Sequence, residues 1–503
     1  MSGADTATGA DAVSGSDATT SSDGAAAAGD GGKKACGNPG SSTPFSNSVI
    51  AVDATTVLRT IPRDIFGMNM AAWSGLNNSG ESAYEEAMKV AGVTQIRWPG
   101  GSWGDILDWS DIDCQSSSDA TTDQEIAFIA TFGGKMEPIV NYSGNWCGTQ
   151  HTHAQAVTLA ASWVTYMNVT HSYATKIWEV GNEDYGSWEE GYTTSGATYG
   201  TNFADYYKAM KAVDSSIQVG AVCESTDESS NWTSAVLMGA KAQGVTPDFL
   251  IIHEYPYYSS TTGAAADSSM LSNVGKISGW TSGLNQVVST VLGASSVGKI
   301  PYRMTEYAAP NPQLVTVNEY VEAMFDAQFM LELASNGWAG ANKWNAKNGG
   351  VSSTGGDWGF LSSTNNAPYP DYYPYAVLSG KFGSSQVSAT SANSSVRSYA
   401  AVDASGNLTL FLVNNDPSTD ISATVNVTGF SAAAVATKWV LLPQGNAPSG
   451  APQEAAGLQI NGDANPDPSD IASIAGVSQT GTNAFTVDLP PSAMVLIVLP
   501  PGC

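Results

Sequence analysis

The sequence predicts an α/β protein, a (β/α)8 TIM barrel followed by an antiparallel β-sandwich, and three observations predict it. Between about residues 62 and 350, eight short β-rich apolar runs alternate with longer segments of helical periodicity, the pattern of repeated βα units. After about residue 380 that periodicity gives way to alternating strands without helices. The chain has 503 residues, too many for one ordinary core and enough for one barrel plus a smaller domain.

Residues 1–45 are Ala, Gly, Ser, Thr and Asp with almost no large apolar side chain. They cannot bury enough surface to offset chain entropy, so a disordered low-complexity tether is expected. Residues 46–61 carry strand character at Val49 to Leu58 and are expected to join the sandwich, making that domain discontinuous. The barrel is placed at 62–378. Its strands are Ile65 to Met70, Gln95 to Gly100, Met136 to Tyr142, Ile177 to Glu183, Gln218 to Cys223, Phe249 to Tyr255, Tyr302 to Tyr307 and Asn342 to Asn345. Helical stretches such as Ala154 to Met167, Phe203 to Val213 and Tyr320 to Leu333 repeat apolar residues at three and four. The sandwich is placed at 379–503. It opens with a hairpin in which Ser405-Gly406-Asn407 turns Ser398–Val402 back onto Leu408–Val413. Val425 to Val427, Thr437 to Leu442, Phe485 to Leu489 and Met494 to Leu499 supply further strands.

Composition narrows the function classes. With 46 acidic against 19 basic side chains the formal charge is −27. Such a surface repels nucleic acid and anionic membranes, because phosphate binding needs clustered Lys and Arg, and a neutral substrate fits better. Fourteen Trp and twenty Tyr exceed what the core needs, and flat rings stack on sugar faces. No apolar run reaches the roughly eighteen residues of a membrane span. Cys114 and Cys147, both in loops after strands, are candidates for pairing in an exporting compartment; Cys36 and Cys503 flank the folded region and could tie its ends, and Cys223 reads as a buried thiol. No Cys/His spacing suggests zinc, and no cofactor or metal is expected.

The residues that carry chemistry are two glutamates at the ends of apolar runs. Glu183 ends Lys176-Ile177-Trp178-Glu179-Val180-Gly181-Asn182-Glu183, and Glu306 ends Ile300-Pro301-Tyr302-Arg303-Met304-Thr305-Glu306. Barrel enzymes place their working groups at the C-terminal ends of the strands. Two carboxylates there are what acid-assisted cleavage of a glycosidic bond requires. Like-charge repulsion between them is expected to keep one protonated near neutrality. Glu179, four residues before Glu183, is expected about 13 Å lower on the same strand face, as an ion-pair partner of Arg97 or Lys343.

This placement resembles glycoside hydrolase clan A, whose retaining members carry Asn-Glu after the fourth strand and a nucleophilic Glu after the seventh. Trp178-Glu179-Val180-Gly181-Asn182-Glu183-Asp184-Tyr185-Gly186-Ser187-Trp188-Glu189 looks like the acid/base region of family 51-type α-L-arabinofuranosidases. Ile96-Arg97-Trp98-Pro99-Gly100-Gly101 is similar to their second strand. One departure is Thr305-Glu306-Tyr307, nearer to related clan A families of β-xylosidases and endo-xylanases than the Asp-Glu-Trp common in family 51. The resemblance spans roughly residues 46–503. It implies Glu183 as general acid/base, Glu306 as nucleophile and Asn182 on the sugar hydroxyl next to the reacting carbon.

Around this pair, Arg97 is expected to hold Glu306 ionised. His253 and Tyr255 are expected to face inward beside the nucleophile, with Glu254 outward. Trp344 is the expected floor of the sugar subsite, and Trp103, Trp146, Tyr185 and Trp188 are candidates for the cleft walls. The expected partner is a neutral plant-type polysaccharide or oligosaccharide. Membrane association is expected only through a lost N-terminal lipid anchor, since the tail resembles the stalks of bacterial surface lipoproteins without their cysteine. A secreted, cell-surface or periplasmic protein is expected. Two alternatives stay open: an endo-β-glucanase or endo-xylanase of the same clan, and a surface carbohydrate-binding protein that keeps an enzyme fold without catalysis.

Overall fold

The computed structural model describes residues 45–74, 81–114, 120–225, 231–256, 263–309, 319–348, 357–445, 447 and 452–502. The tether expected at 1–45 lies outside the described residues except for its last one, and so do Cys36 and Cys503.

Eight parallel strands close into a barrel: Gly67–Asn69, Gln95–Trp98, Lys135–Val140, Ile177–Val180, Gln218–Val222, Phe249–Glu254, Tyr302–Tyr307 and Gly340–Lys343. Each of the eight runs read from the sequence supplies one strand, in chain order around the ring. Helices between them cover the outside, including His153–Val164, Gly196–Val213 and Tyr320–Ser335. Their starts follow from sequence. Thr152 accepts the Gln155 backbone N–H while Gln155 accepts that of Thr152, a reciprocal cap that satisfies two otherwise orphaned donors.

Several strands end earlier than expected. Ile65 and Phe66 belong to a 3-10 turn, Arg63–Phe66. The fourth strand stops at Val180 because the chain turns left-handed at Gly181, with φ 79°, and again at Glu183, with φ 45°. Trp344 and Asn345 lie beyond the eighth strand. The first strand thus starts later than expected at the floor, whereas after the fourth and eighth strands the residues at the mouth have left the ladder, which frees their side chains to converge.

The seventh strand carries an irregularity with a direct consequence. Met304 pairs with Ala341 and Tyr307 with Lys343, so Thr305 and Glu306 together stand opposite Asn342. On the other side, Ile252 pairs with Met304 but His253 with Glu306. One extra residue reverses the side-chain alternation. Arg303 near the start of the strand and Glu306 near its end, three residues apart, therefore both face the barrel interior.

The C-terminal region forms one curled sheet of twelve strands around its own apolar core. Val396–Val402 and Leu408–Asn414 make the expected hairpin, Val402 opposite Leu408, closed at Gly406 with φ 82°. The strand Phe45–Asp53 enters this sheet, antiparallel to Ser385–Ser391 and parallel to Asp420–Thr428. That parallel pair corrects the expectation of a purely antiparallel sandwich. No hairpin links the two strands, so nothing forces them to run in opposite directions. The helix Tyr320–Ser335 is buried on nearly every face, because the sheet packs against it: Tyr320 donates to the Leu441 carbonyl at 2.9 Å, and Gln328 and Asn415 exchange side-chain hydrogen bonds.

Candidate active site

Arg97 on the second strand organises the barrel mouth. Its guanidinium is fully buried and makes four contacts: Nε to Glu179 Oε2 at 2.7 Å, Nη1 to Glu306 Oε1 at 2.7 Å and Asn69 Oδ1 at 3.0 Å, and Nη2 to Asn182 Oδ1 at 2.9 Å. Burial works against the charge, but Glu179 and Glu306 outweigh it and raise the Arg97 pKa. Glu179 thus pairs with Arg97. Lys343 serves another cluster, with Glu322, Asp326 and Asp371. The 13 Å separation of Glu179 from Glu183 loses its basis, because Glu183 lies in a left-handed loop past the strand end.

Glu306 has both oxygens engaged, Oε1 by Arg97 and Oε2 by the Tyr255 hydroxyl at 2.8 Å. Burial, then the charge of Glu306, raises the Tyr255 pKa well above its ordinary value, so the phenol remains a donor. Glu183 accepts from His253 Nδ1 at 2.9 Å on Oε1 and from the Trp188 indole at 2.7 Å on Oε2. His253 Nε2 stands 3.1 Å from Thr305 Oγ1. His253 therefore binds Glu183 most directly, with Glu306 at 3.8 Å. Carboxylate oxygens of Glu183 and Glu306 lie within 4.8 Å of each other.

The electrostatics differ from the expected repulsion. Burial pushes the Glu183 pKa up, but hydrogen bonding from His253, the His253 charge, the Trp188 N–H and Arg97 bring it below the ordinary value. For His253, burial is outweighed by Glu306 and by the hydrogen bond to Glu183, so its pKa is raised. The two groups are joined by a hydrogen bond of 2.9 Å, and their titration belongs to the pair.

Glu183 and Glu306 open into a cavity of 220 Å³ whose walls include Trp73, Trp344, Trp358, Tyr255, Asn182 and Glu189. Gly101 makes room for Trp344: a Cβ there would fall 2.8 Å from the indole. Trp344 lines the cavity, and the other rings named from the sequence are arranged around it or away from it. Trp103 stands behind Trp73, centroids 6.3 Å apart. Tyr185 packs edge-on against Trp232 and Trp188. Trp146 stacks on His151 at 3.6 Å, in a short hairpin beside the Cys114–Cys147 disulfide.

Sequence reasoning missed Trp73, Trp358 and Glu189. Glu189 accepts from Ser102 Oγ and Asn182 Nδ2, both at 2.9 Å, and burial, then Glu183 and Glu306, moves its pKa to about 7 despite those bonds. It closes the motif that begins at Trp178, so its place there was the available signal. The tryptophans come from separate loops and had none.

The trio Glu183, His253 and Glu306 has donor atoms close enough for a metal ion. Each is instead tied to a protein partner, and a guanidinium 2.7 Å from Glu306 opposes a second cation. The other trio, Asp111, Cys114 and Cys147, has its sulfurs joined in the disulfide. The site needs no cofactor for the chemistry these groups can do: proton transfer and carboxylate attack at one carbon.

No protein-family model and no curated protein matches the sequence. Solved structures do resemble it. An α-L-arabinofuranosidase from Thermotoga maritima, in complex with arabinose, superposes with TM-score 0.69 and 17% identity over 90% of this chain and 99% of that one. A family 51 α-L-arabinofuranosidase from Bifidobacterium longum gives 0.69 and 16%, covering 91% and 100%. A bifunctional glucanase-xylanase from a metagenome library gives 0.64 and 15%, covering 91% and 100%. The chain shares their fold over nearly its whole described length.

Proposed function

We propose that the protein is a retaining glycoside hydrolase that cleaves plant-type polysaccharide or oligosaccharide, with α-L-arabinofuranosides as the first substrate class. The observation that carries this reading is the pair of carboxylates within 4.8 Å at one cavity. Retaining enzymes hold their carboxyls about 5 Å apart, whereas inverting enzymes leave about 6.5–9.5 Å for a water.

In the first step Glu306, held by Arg97 and Tyr255, attacks the anomeric carbon. The bond from that carbon to the leaving oxygen breaks, and the oxygen takes the proton shared by Glu183 and His253. A glycosyl ester on Glu306 results. In the second step Glu183 removes a proton from water, the water attacks the same carbon, and the ester bond breaks. Two inversions retain the configuration. Asn182 is clamped, with its carbonyl on Arg97 and one N–H on Glu189. Its second N–H is left to meet the hydroxyl next to the reacting carbon, a contact that strengthens in the transition state.

The names of the arabinofuranosidases that share the fold support the substrate class. The likeness to a glucanase-xylanase and the Thr305-Glu306-Tyr307 strand favour endo-β-glucanase or endo-xylanase as the second reading. The disulfide supports an exported protein. Nitrophenyl arabinofuranoside, xyloside and glucoside beside arabinan, xylan and β-glucan separate the readings. Glu306→Ala is expected to lose activity by a factor on the order of 10⁴ or more and to yield a glycosyl azide of inverted configuration when azide is added. Wild-type protein inert on every glycoside would point to a binding protein instead.

A further inference from the structure

The loop from Gly181 to Gly191 presents Glu183 and carries Asp184, whose carboxyl lies near that of Asp105. Asp105 and Asp184 are both fully buried. Asp105 accepts the backbone N–H of Asn182 on Oδ1 at 3.3 Å and that of Gly191 on Oδ2 at 3.1 Å, one from each end of the loop. Beyond its own backbone N–H, Asp184 has no hydrogen-bond partner on either oxygen. Two glycines make its place: a Cβ at Gly181 would fall 2.1 Å from Asp184 Oδ2, and one at Gly191 would fall 2.0 Å from Asp184 Oδ1 and 2.7 Å from Asp105 Oδ2. Oxygens of both carboxyls therefore border the one space that Gly191 leaves open.

An ionised, unpartnered carboxylate in a dry site is too costly to persist, and two facing carboxylates are worse. We propose that Asp105 and Asp184 are a positioning pair: Asp184 keeps its proton and donates it to Asp105, and Asp105 ties both ends of the loop that holds Glu183. The inference rests on reading Glu183 as the proton donor. The groups facing the pair are Glu189 from the same loop, Tyr142 from the loop after the third strand, and Tyr199 and Tyr206 from the helix Gly196–Val213. Arg97 is taken up by Glu179, Glu306, Asn69 and Asn182. Burial, then the neighbouring carboxyls, raises the pKa of both Asp105 and Asp184 well above the carboxylate range.

A proton held more tightly in the folded state gives stability that is complete below the unfolded carboxyl pKa of about 4 and is lost as pH rises toward the folded value. Asp184→Asn removes that titration and keeps an N–H donor for Asp105. The expected result is a Tm that falls less steeply than wild type between pH 5 and about 9. In the same preparations D184N is expected to keep at least about ten times the kcat of Asp184→Leu, which has the size without the donor, at similar KM. Asp184→Ala replaces the leucine variant if that does not fold. Parallel Tm curves, equal kcat values, or a D184N chain that fails to fold would each overturn the pair. If no glycoside is cleaved, the Tm curves still decide it; if glycosides are cleaved and the curves run parallel, the pair falls while the proposed function stands.

Discussion

Two buried arginines sit in neighbouring layers of the barrel interior, one toward the floor and one toward the mouth, and do different things with similar partners. Arg303, near the start of the seventh strand, meets Glu137 at 3.2 Å, Gln95 at 2.9 Å and Asp64 at 3.3 Å. Arg97, one layer nearer the mouth, meets Glu179, Glu306, Asn69 and Asn182. Both satisfy the rule that a buried cation needs paired, hydrogen-bonded acceptors. In the floor cluster Glu137 is fully buried, while Asp64 is partly exposed and lines, with Gln95, a separate cavity. In the mouth cluster, one acceptor lies on a loop and another lines an open cavity. At the mouth Arg97 holds Glu306 beside Glu183 at one cavity, the arrangement the proposed chemistry uses, and Arg303 holds neither glutamate.

The sharpest way to break that comparison is to remove each arginine in turn. Arg97→Met is expected to cost both ends of the argument: about 3–5 kcal/mol of stability, because Glu179 is left unpaired, and kcat/KM by a factor on the order of 10³, because Glu306 loses its positioning donor. Arg303→Met is expected to lose a similar 3–5 kcal/mol, since Glu137 stays buried with the Gln95 N–H but without its guanidinium, with kcat/KM of the surviving folded enzyme within about threefold of wild type. Urea unfolding and steady-state kinetics on the two variants decide it. An Arg303 variant as inactive as the Arg97 variant would end the division of labour.

His253 sharpens the contrast further, because no floor residue has its role. Its raised pKa and the lowered one of Glu183 mean that one proton stays with the pair to a pH above about 6.5, the ordinary imidazole value. His253→Gln leaves Glu183 to carry the proton alone. The alkaline limb of kcat/KM is then expected to move to lower pH, with a loss on the order of 10²-fold at pH 7. A limb that stays where it was would place the proton on another group.

How much of this was legible depends on which residues sit in regular structure. The eight barrel strands, the hairpin at Gly406 and the order of Glu183 and Glu306 follow from apolar periodicity and turn residues, which are local signals. What escaped was set by departures from regularity. The extra residue at Thr305 turns Glu306 inward, against simple alternation, and the left-handed Glu183 takes its carboxylate off the strand on which Glu179 remains. The pKa order also escaped, because it depends on His253 and Trp188 reaching Glu183 from different loops. Trp73 and Trp358 belong to this class too, since long-range convergence leaves no trace in spacing.

The smallest expected effect tests the mouth at its outer edge. Trp188 is 66% exposed, so its ring adds little to the core, yet its indole N–H is one of two donors on Glu183. Trp188→Phe keeps a ring of similar shape and deletes only that donor. A hydrogen bond to a charged group contributes about 1.5–3 kcal/mol, and the exposed position puts this one at the lower end, so kcat/KM should fall about tenfold. Losing a donor to the carboxylate also raises the Glu183 pKa, so the proton should move toward Glu183 within its pair with His253. Tm should stay within about 1 °C, in contrast to Arg303→Met, because the ring is not part of either buried cluster. A large Tm drop in this variant would mean that the loop over the mouth is a structural element in its own right, and the separation between floor and mouth would have to be redrawn at Trp188.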